Sequence, residues 1–177
     1  MINCLHKYLH EYDFPYSDYL KQYESYILKC SSENSTNSND VYLHEQELNS
    51  YIIPKIIQII NDNYIVSSPL TYPVLRGFVL NDIDNSKDEY FHNHSHLLGN
   101  INVVFYINLP QEGGGLSFKD ENENIFEIKP KENKIYLMPH WLYHRPLPQK
   151  DNINRISFNW NYTGSNRPIN KFTGDIW

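Results

Sequence analysis

The sequence predicts a mainly β domain, an antiparallel sandwich or barrel, with helices at its N-terminal side. Two observations carry this prediction. After residue 65, short runs rich in β-branched and aromatic residues alternate with turn residues: VLRGFVLND, INVVFYINL, GLSFKD, IFEIKP, KIYLMP and RISFNWNY. That spacing suits antiparallel strands with short connections rather than βαβ units. Before residue 65 the apolar residues recur mostly at helical spacing. A chain of 177 residues fits one domain with a sizeable core. Residues 1–65 are therefore expected to pack as a helical part on a barrel built from residues 66–177.

The first helix is expected over 17–29, where Tyr19, Leu20, Tyr23 and Ile27 fall near one face and Ser17 can serve as N-cap. A polar stretch, SSENSTNSND, follows as a loop and a candidate disordered tip, because its small polar side chains compete with helix. A second helix is expected over 43–61, bent near Pro54, since proline lacks the interior donor. The β-runs then occupy the rest. Gly113-Gly114-Gly115 lacks the lysine and the strand-to-helix setting of a phosphate loop, and reads as a hairpin between FYINL and LSFKD that needs positive φ.

Composition excludes several functions. The net charge of −6 gives no support to binding a nucleic-acid backbone, though a small local groove would suffice for a modifying enzyme. The longest apolar run, around 52–60, is broken by Pro54, Lys55 and Gln58, so no membrane span is expected. The first residues lack a signal-peptide apolar region, which makes the cytoplasm the expected location. Cys4 and Cys30 form no Cys-x-x-Cys pair, which argues against a disulfide framework or thiolate zinc site and for two reduced thiols. Aromatic residues reach 15%, with 15 tyrosines, which suits strands whose rings pack while their hydroxyls find partners.

Five of the eight histidines fall in two clusters, His92-Asn93-His94-Ser95-His96 and His140-Trp141-Leu142-Tyr143-His144. In an extended segment, side chains at i and i+2 share a face, so residues 92–96 can aim three imidazoles one way. Converging imidazoles suit iron, zinc, copper or nickel. Spacing alone allows either 92/94 or 94/96 as the pair. Eleven residues after His144 stands Arg155, whose planar fork binds a carboxylate in a way that lysine cannot copy. On its run, Arg155, Ser157 and Asn159 share one face, opposed to Ile156, Phe158 and Trp160. Asn102 and Tyr106 likewise oppose Val103, Phe105 and Ile107. A polar stripe backed by an apolar one is the pattern of a ligand-lined barrel strand.

From His94 to Trp160 the chain resembles the 2-oxoglutarate- and iron(II)-dependent oxygenases, in particular a bacterial and phage group of small members. His94-Ser95-His96 followed by Asn102-Val103-Val104-Phe105-Tyr106 is similar to that group's His-x-His ahead of a Ser-Gly-Val-Tyr-Tyr strand. FYINLPQEGGGLSF resembles its Tyr-Leu-Asn, Gly-Gly, Phe pattern, and Met138-Pro139-His140-Trp141-Leu142-Tyr143-His144 its Phe-Pro-Ser-Trp-Leu-x-His. Arg155-Ile156-Ser157-Phe158-Asn159 resembles its Arg-Ile-Ser-x-x-Asn. The resemblance implies a double-stranded β-helix, a jelly-roll or cupin-like barrel, and one iron(II) held by His94, His96 and His144. It implies O2 and 2-oxoglutarate as co-substrates, with Arg155, Ser157, Tyr106 and Asn102 toward the 2-oxoglutarate. The implied reaction couples decarboxylation of 2-oxoglutarate to oxidation of a substrate C–H bond; the primary substrate is not readable.

One departure stands out. Most of the superfamily uses two histidines and a carboxylate, His-x-Asp/Glu…His, and here His96 holds the carboxylate position. Either three imidazoles bind, or two bind with water in the third place and Asp88 or Glu89 assisting. His140 stands where the group has serine and is expected to point away from the metal, as a surface or hydrogen-bonding histidine. Two rivals remain. A cupin of another chemistry, such as a three-histidine dioxygenase, shares the barrel and the Pro139-to-His144 spacing, but has no need of Arg155-x-Ser157. A barrel that kept the fold without turnover would explain the missing carboxylate.

Overall fold

A computed structural model of the chain describes residues 3–33, 40–44, 46–68, 75–80, 91 and 100–177. The described elements are β1 (Asn3–His6), β2 (Leu9–Asp13), α1 (Ser17–Lys21), α2 (Glu24–Glu33), β3 (Asp40–Leu43), α3 (Gln46–Asn63), β4 (Tyr64–Ile65), β5 (Leu75–Leu80), β6 (Asn100–Asn108), β7 (Leu116–Lys119), β8 (Ile125–Ile128), β9 (Lys134–Pro139), β10 (Tyr143–Pro146), β11 (Arg155–Thr163) and β12 (Ile169–Asn170). A seven-stranded sheet runs in the order β1-β2-β9-β6-β11-β5-β3 and faces a three-stranded sheet, β10-β7-β8. Every described pairing is antiparallel. This is the expected jelly-roll barrel, and each of the six predicted β-runs carries a strand.

The alternation expected along β6 and β11 sorts their side chains onto two faces. On the outer face Phe105 and Phe158 stack 5.2 Å apart, and Phe14 packs 4.9 Å from Phe105. Helices α1 and α2 cover this face: Ile27 of α2 lies so close to Gly77 of β5 that a Cβ there would meet it at 3.2 Å. The other face looks toward the small sheet and carries Asn102, Tyr106, Tyr136, Met138, Ser157, Asn159 and Asn161, as the register of β9, β6 and β11 requires.

The N-terminal third differs from its expected all-helical character. Strands β1, β2 and β3 lie within it and extend both edges of the large sheet. In β2 the residues Leu9, His10, Glu11 and Tyr12 are all buried, because β2 pairs with β9 on one side and its second face is covered. Alternation by polarity, the usual strand signal, is lost when both faces are buried. The first predicted helix is two, broken at Gln22–Tyr23. Ser17 is not a side-chain cap. Its hydroxyl donates to the carbonyl of Tyr106 and accepts from the backbone N–H of Asn133, tying α1 to the barrel. Residues 31–33 belong to α2 and Asp40 to β3, and 34–39, the centre of the expected tip, lie outside the described residues. Leu43 is in a strand, and α3 runs through Pro54, whose ring is on the exposed side.

The Gly113–Gly115 segment does use positive φ, at Gly113 (73°) and Gly114 (65°). It is not a hairpin, however. β6 pairs within the large sheet and β7 within the small one, so the segment carries the chain from one sheet to the other. No helix among the described residues is long and apolar enough to cross a membrane.

Candidate active site

His144 sits on β10, paired with Phe118 of β7. The two rings lie 6.2 Å apart on the face turned toward the large sheet, and His144 is 7% exposed. Its Nδ1 is 3.0 Å from the carbonyl of Leu142. A carbonyl only accepts, so Nδ1 carries a proton, and in the neutral ring the lone pair is then on Nε2. A neutral imidazole oriented by a backbone carbonyl is how a protein holds a metal-binding histidine.

Arg155 opens β11 on the opposite sheet and is 3% exposed. Its Nη1 crosses the interior to donate to the carbonyls of Gly114 (3.2 Å) and Gly115 (3.0 Å), at the entrance to β7. Those two bonds fix the guanidinium plane. Tyr106, opposite Ser157 across β6 and β11, stands close enough to feel the Arg155 charge. Burial pushes its phenol up to about 12, and Arg155 offsets part of that. Tyr106 therefore stays protonated as a donor. Arg155, Tyr106 and Ser157 thus line one end of the interior.

Asn102, grouped with them on sequence, stands four residues along β6 from Tyr106. At a strand rise of about 3.3 Å that is about 13 Å away, at the opposite end. It is 1% exposed, and neither its Oδ1 nor its Nδ2 has a hydrogen-bond partner. Leaving a buried carboxamide unmatched costs roughly 1–3 kcal/mol per group.

His94 and His96 lie outside the described residues, as do His92, Asp88 and Glu89. Their described neighbours are Asn100, which begins β6, and Phe91, whose ring lies 4.6 Å from the guanidinium of Arg145, the residue after His144. Among the described residues no three His, Cys, Asp or Glu side chains converge as a metal cluster. Of the sequence-named residues, the fold brings His144, Arg155, Tyr106 and Ser157 into one interior, with Asn102 at its far end.

Sequence reasoning did not single out Arg76 and Asn161, and gave His140 a bland role. His140 is buried rather than on the surface, beside the Asn161 side chain and the backbone of Ile101. Burial lowers its imidazole to about 4. Arg76 pairs across β5 and β11 with Asn159, so it looks into the same interior. The signal was available, since Arg76 interrupts the otherwise apolar run VLRGFVL at an inward position.

No protein-family model matches the chain, and no curated protein matches its sequence. Solved structures do match. A prolyl-4-hydroxylase of Pseudomonas putida superposes with a TM-score of 0.64 at 11% identity, over 89% of this chain and 94% of that one. A Trichoplax adhaerens prolyl hydroxylase, solved with a hypoxia inducible factor peptide fragment, gives 0.60 at 13% identity, over 87% and 83%. The α-ketoglutarate-dependent carbocyclase SnoK of nogalamycin biosynthesis gives 0.58 at 9% identity, over 90% and 81%. The chain has the fold of the 2-oxoglutarate/iron(II) oxygenases, as its motifs implied.

Proposed function

We propose that this chain is a 2-oxoglutarate- and iron(II)-dependent oxygenase that hydroxylates a C–H bond of its substrate in the cytoplasm. The observation that carries the reading is the entry of His144 and Arg155 into one buried interior from opposite sheets, each oriented by backbone carbonyls. The donor set fits the group: a buried imidazole whose Nδ1 is turned to a backbone carbonyl, which leaves Nε2 toward the interior, and a buried carboxylate-binding guanidinium. His94, His96 and His144 would hold the iron, which with 2-oxoglutarate and O2 supplies the oxidising chemistry while 2-oxoglutarate is converted to succinate.

The chain's own residues then have separable tasks. Arg155 binds the distal carboxylate of 2-oxoglutarate, and its bonds to Gly114 and Gly115 hold the fork before the ligand arrives. Tyr106 donates a second hydrogen bond, which its raised phenol keeps available at any physiological pH. Ser157, opposite Tyr106, is placed for a third. Phe118 and Tyr136, both fully buried, keep water from the sides of the pocket.

Calorimetric titration with 2-oxoglutarate in the presence of Mn(II) tests this reading. Wild type is expected to bind, and Arg155→Leu to bind more weakly by a few kcal/mol, about 100-fold, since a charge-assisted pair is lost and a buried carboxylate is left unmatched. Equal binding by the variant, or none by wild type, would move the assignment to a three-histidine cupin. A second expectation concerns the metal. His94→Ala or His144→Ala loses it, whereas His96→Asp keeps or tightens it by restoring the commoner triad. Metal content after dialysis reads this out, and anomalous scattering at the iron edge locates the ion.

A further inference from the structure

The polar side chains at the Asn102 end of the interior are more than the oxygenase chemistry requires. Asn102 faces Asn161 directly across β6 and β11. Two residues back along β11, Asn159 faces Arg76 of β5, so Arg76 is diagonal to Asn161 on the same inner face. His140 lies beside Asn161 and within the field of Arg76. Three buried polar atoms here have no hydrogen-bond partner, Nη2 of Arg76 and Nδ2 and Oδ1 of Asn102, and beside them the carboxamide oxygen of Asn161 is met by the His140 imidazole and keeps a second lone pair. Orphaned donors and acceptors of both kinds, clustered on one patch of a barrel wall, describe the complement of a ligand.

The pattern of those atoms restricts the ligand. A lone guanidinium calls for one negative charge, and no other described cation faces the cluster, since burial holds His140 neutral near pH 7. A phosphate dianion would be under-neutralised there. The two carboxamide oxygens ask for a donor beside that charge. A carboxylate adjacent to an ammonium satisfies both.

We propose that Arg76, Asn102 and Asn161 form the head-group site of the primary substrate, and that this substrate is a free α-amino acid. Its carboxylate meets Arg76, and its ammonium is shared by the carboxamide oxygens of Asn102 and Asn161. The proposal deepens the oxygenase reading and rests on it for which end of the substrate is oxidised. The head group is held at the end of the interior away from Arg155, and the side chain is left to reach the metal. The net charge of −6 makes a half-buried guanidinium facing the interior the more telling, because the rest of the molecule would repel a carboxylate.

The test titrates wild type, Arg76→Leu and Arg76→Lys with each of the twenty common L-amino acids and with their N-acetyl forms. It is run both on protein loaded with Mn(II) and 2-oxoglutarate and on protein without them, with thermal melts confirming that each variant is folded. At least one amino acid is expected to bind wild type. Arg76→Leu should weaken it tenfold or more and Arg76→Lys less, while affinity for 2-oxoglutarate stays within twofold. N-acetylation, which removes the ammonium, should also weaken binding at least tenfold. The proposal is overturned if no amino acid binds either form of wild type, if the N-acetyl forms bind equally well, or if Arg76→Leu loses 2-oxoglutarate instead. Failure of the oxygenase reading looks different: wild type binds an amino acid through Arg76 but takes up neither Mn(II) nor 2-oxoglutarate.

Discussion

Arg155 reaches the site only because its guanidinium is held by the carbonyls of Gly114 and Gly115, so the positions on and around β11 are where single residues decide the site. The alternation in Arg155-Ile156-Ser157-Phe158-Asn159 is a property of any strand, so the inward stripe could be read directly and the structure keeps it. The separation of Asn102 from Arg155 could have been counted along β6, but only with the register against β11 in hand. Ser17 illustrates the opposite case: serine at a helix start suggests a cap, yet its hydroxyl serves Tyr106 and Asn133 across the fold. The glycine run offers a test at this scale. Gly113 and Gly174 both adopt positive φ, at 73° and 74°, but a Cβ at Gly113 would lie 2.4 Å from the carbonyl oxygen of Pro148, whereas nothing lies within 4 Å at Gly174. Gly174→Ala is expected to cost about 1 kcal/mol, and Gly113→Ala clearly more, about 2–4 kcal/mol, in urea unfolding. Because Gly114 and Gly115 hold Arg155, Gly113→Ala should also weaken 2-oxoglutarate binding, which Gly174→Ala should leave unchanged.

At the scale of elements, the six β-runs of the C-terminal part were legible because each is bounded by turn residues and dense in β-branched or aromatic side chains. The strands β1, β2 and β3 were not, being short or covered on both faces, and their pairing partners lie far along the chain. The helices were found, but their task is visible only in three dimensions. α2 presents Ile27, fully buried, to the one glycine in the described strands, Gly77. That close fit makes α2 part of the barrel's outer core rather than a decoration. Ile27→Ala should therefore cost about 2–5 kcal/mol in a single cooperative unfolding transition. A loss below 1 kcal/mol, or a separate early transition, would show α2 to be peripheral. Gly77→Ala should also destabilise wild type, and the double variant Ile27→Ala/Gly77→Ala should recover part of the loss, since the new methyl fills space that the old side chain vacates.

For the molecule as a whole, the barrel class followed from strand spacing, and the oxygenase resemblance from motifs of which the described residues His144 and Arg155 stand on different sheets. What no local pattern could show is how the ends of the chain are fastened. His10 of β2, Tyr64 of β4, Asn170 of β12 and Trp177 meet in one buried cluster: His10 Nδ1 lies 2.5 Å from the Tyr64 hydroxyl and 3.3 Å from Asn170 Nδ2, and the Trp177 ring lies 4.8 Å from the imidazole. These residues are up to 167 positions apart, so their union is a property of the completed fold alone. It also gives stability a pH dependence whose sign follows from burial. Burial lowers His10 to about 4, only partly opposed by Asp175, and lowers His140 likewise to about 4. Both values lie below the ordinary 6.5, so as pH falls the unfolded chain takes up these protons first. The stabilisation is complete above about pH 6.5, is lost progressively as pH falls to about 4, and is gone below that, on the order of 3 kcal/mol at most for each histidine. Urea unfolding of wild type should therefore show a steep loss of stability between pH 6.5 and 4.5. His10→Gln, which keeps a polar group facing Tyr64 but cannot titrate, should start less stable at pH 7.5 and lose less across the same interval. Parallel profiles for the two proteins would mean that the His10 cluster is not what makes the fold sensitive to acid.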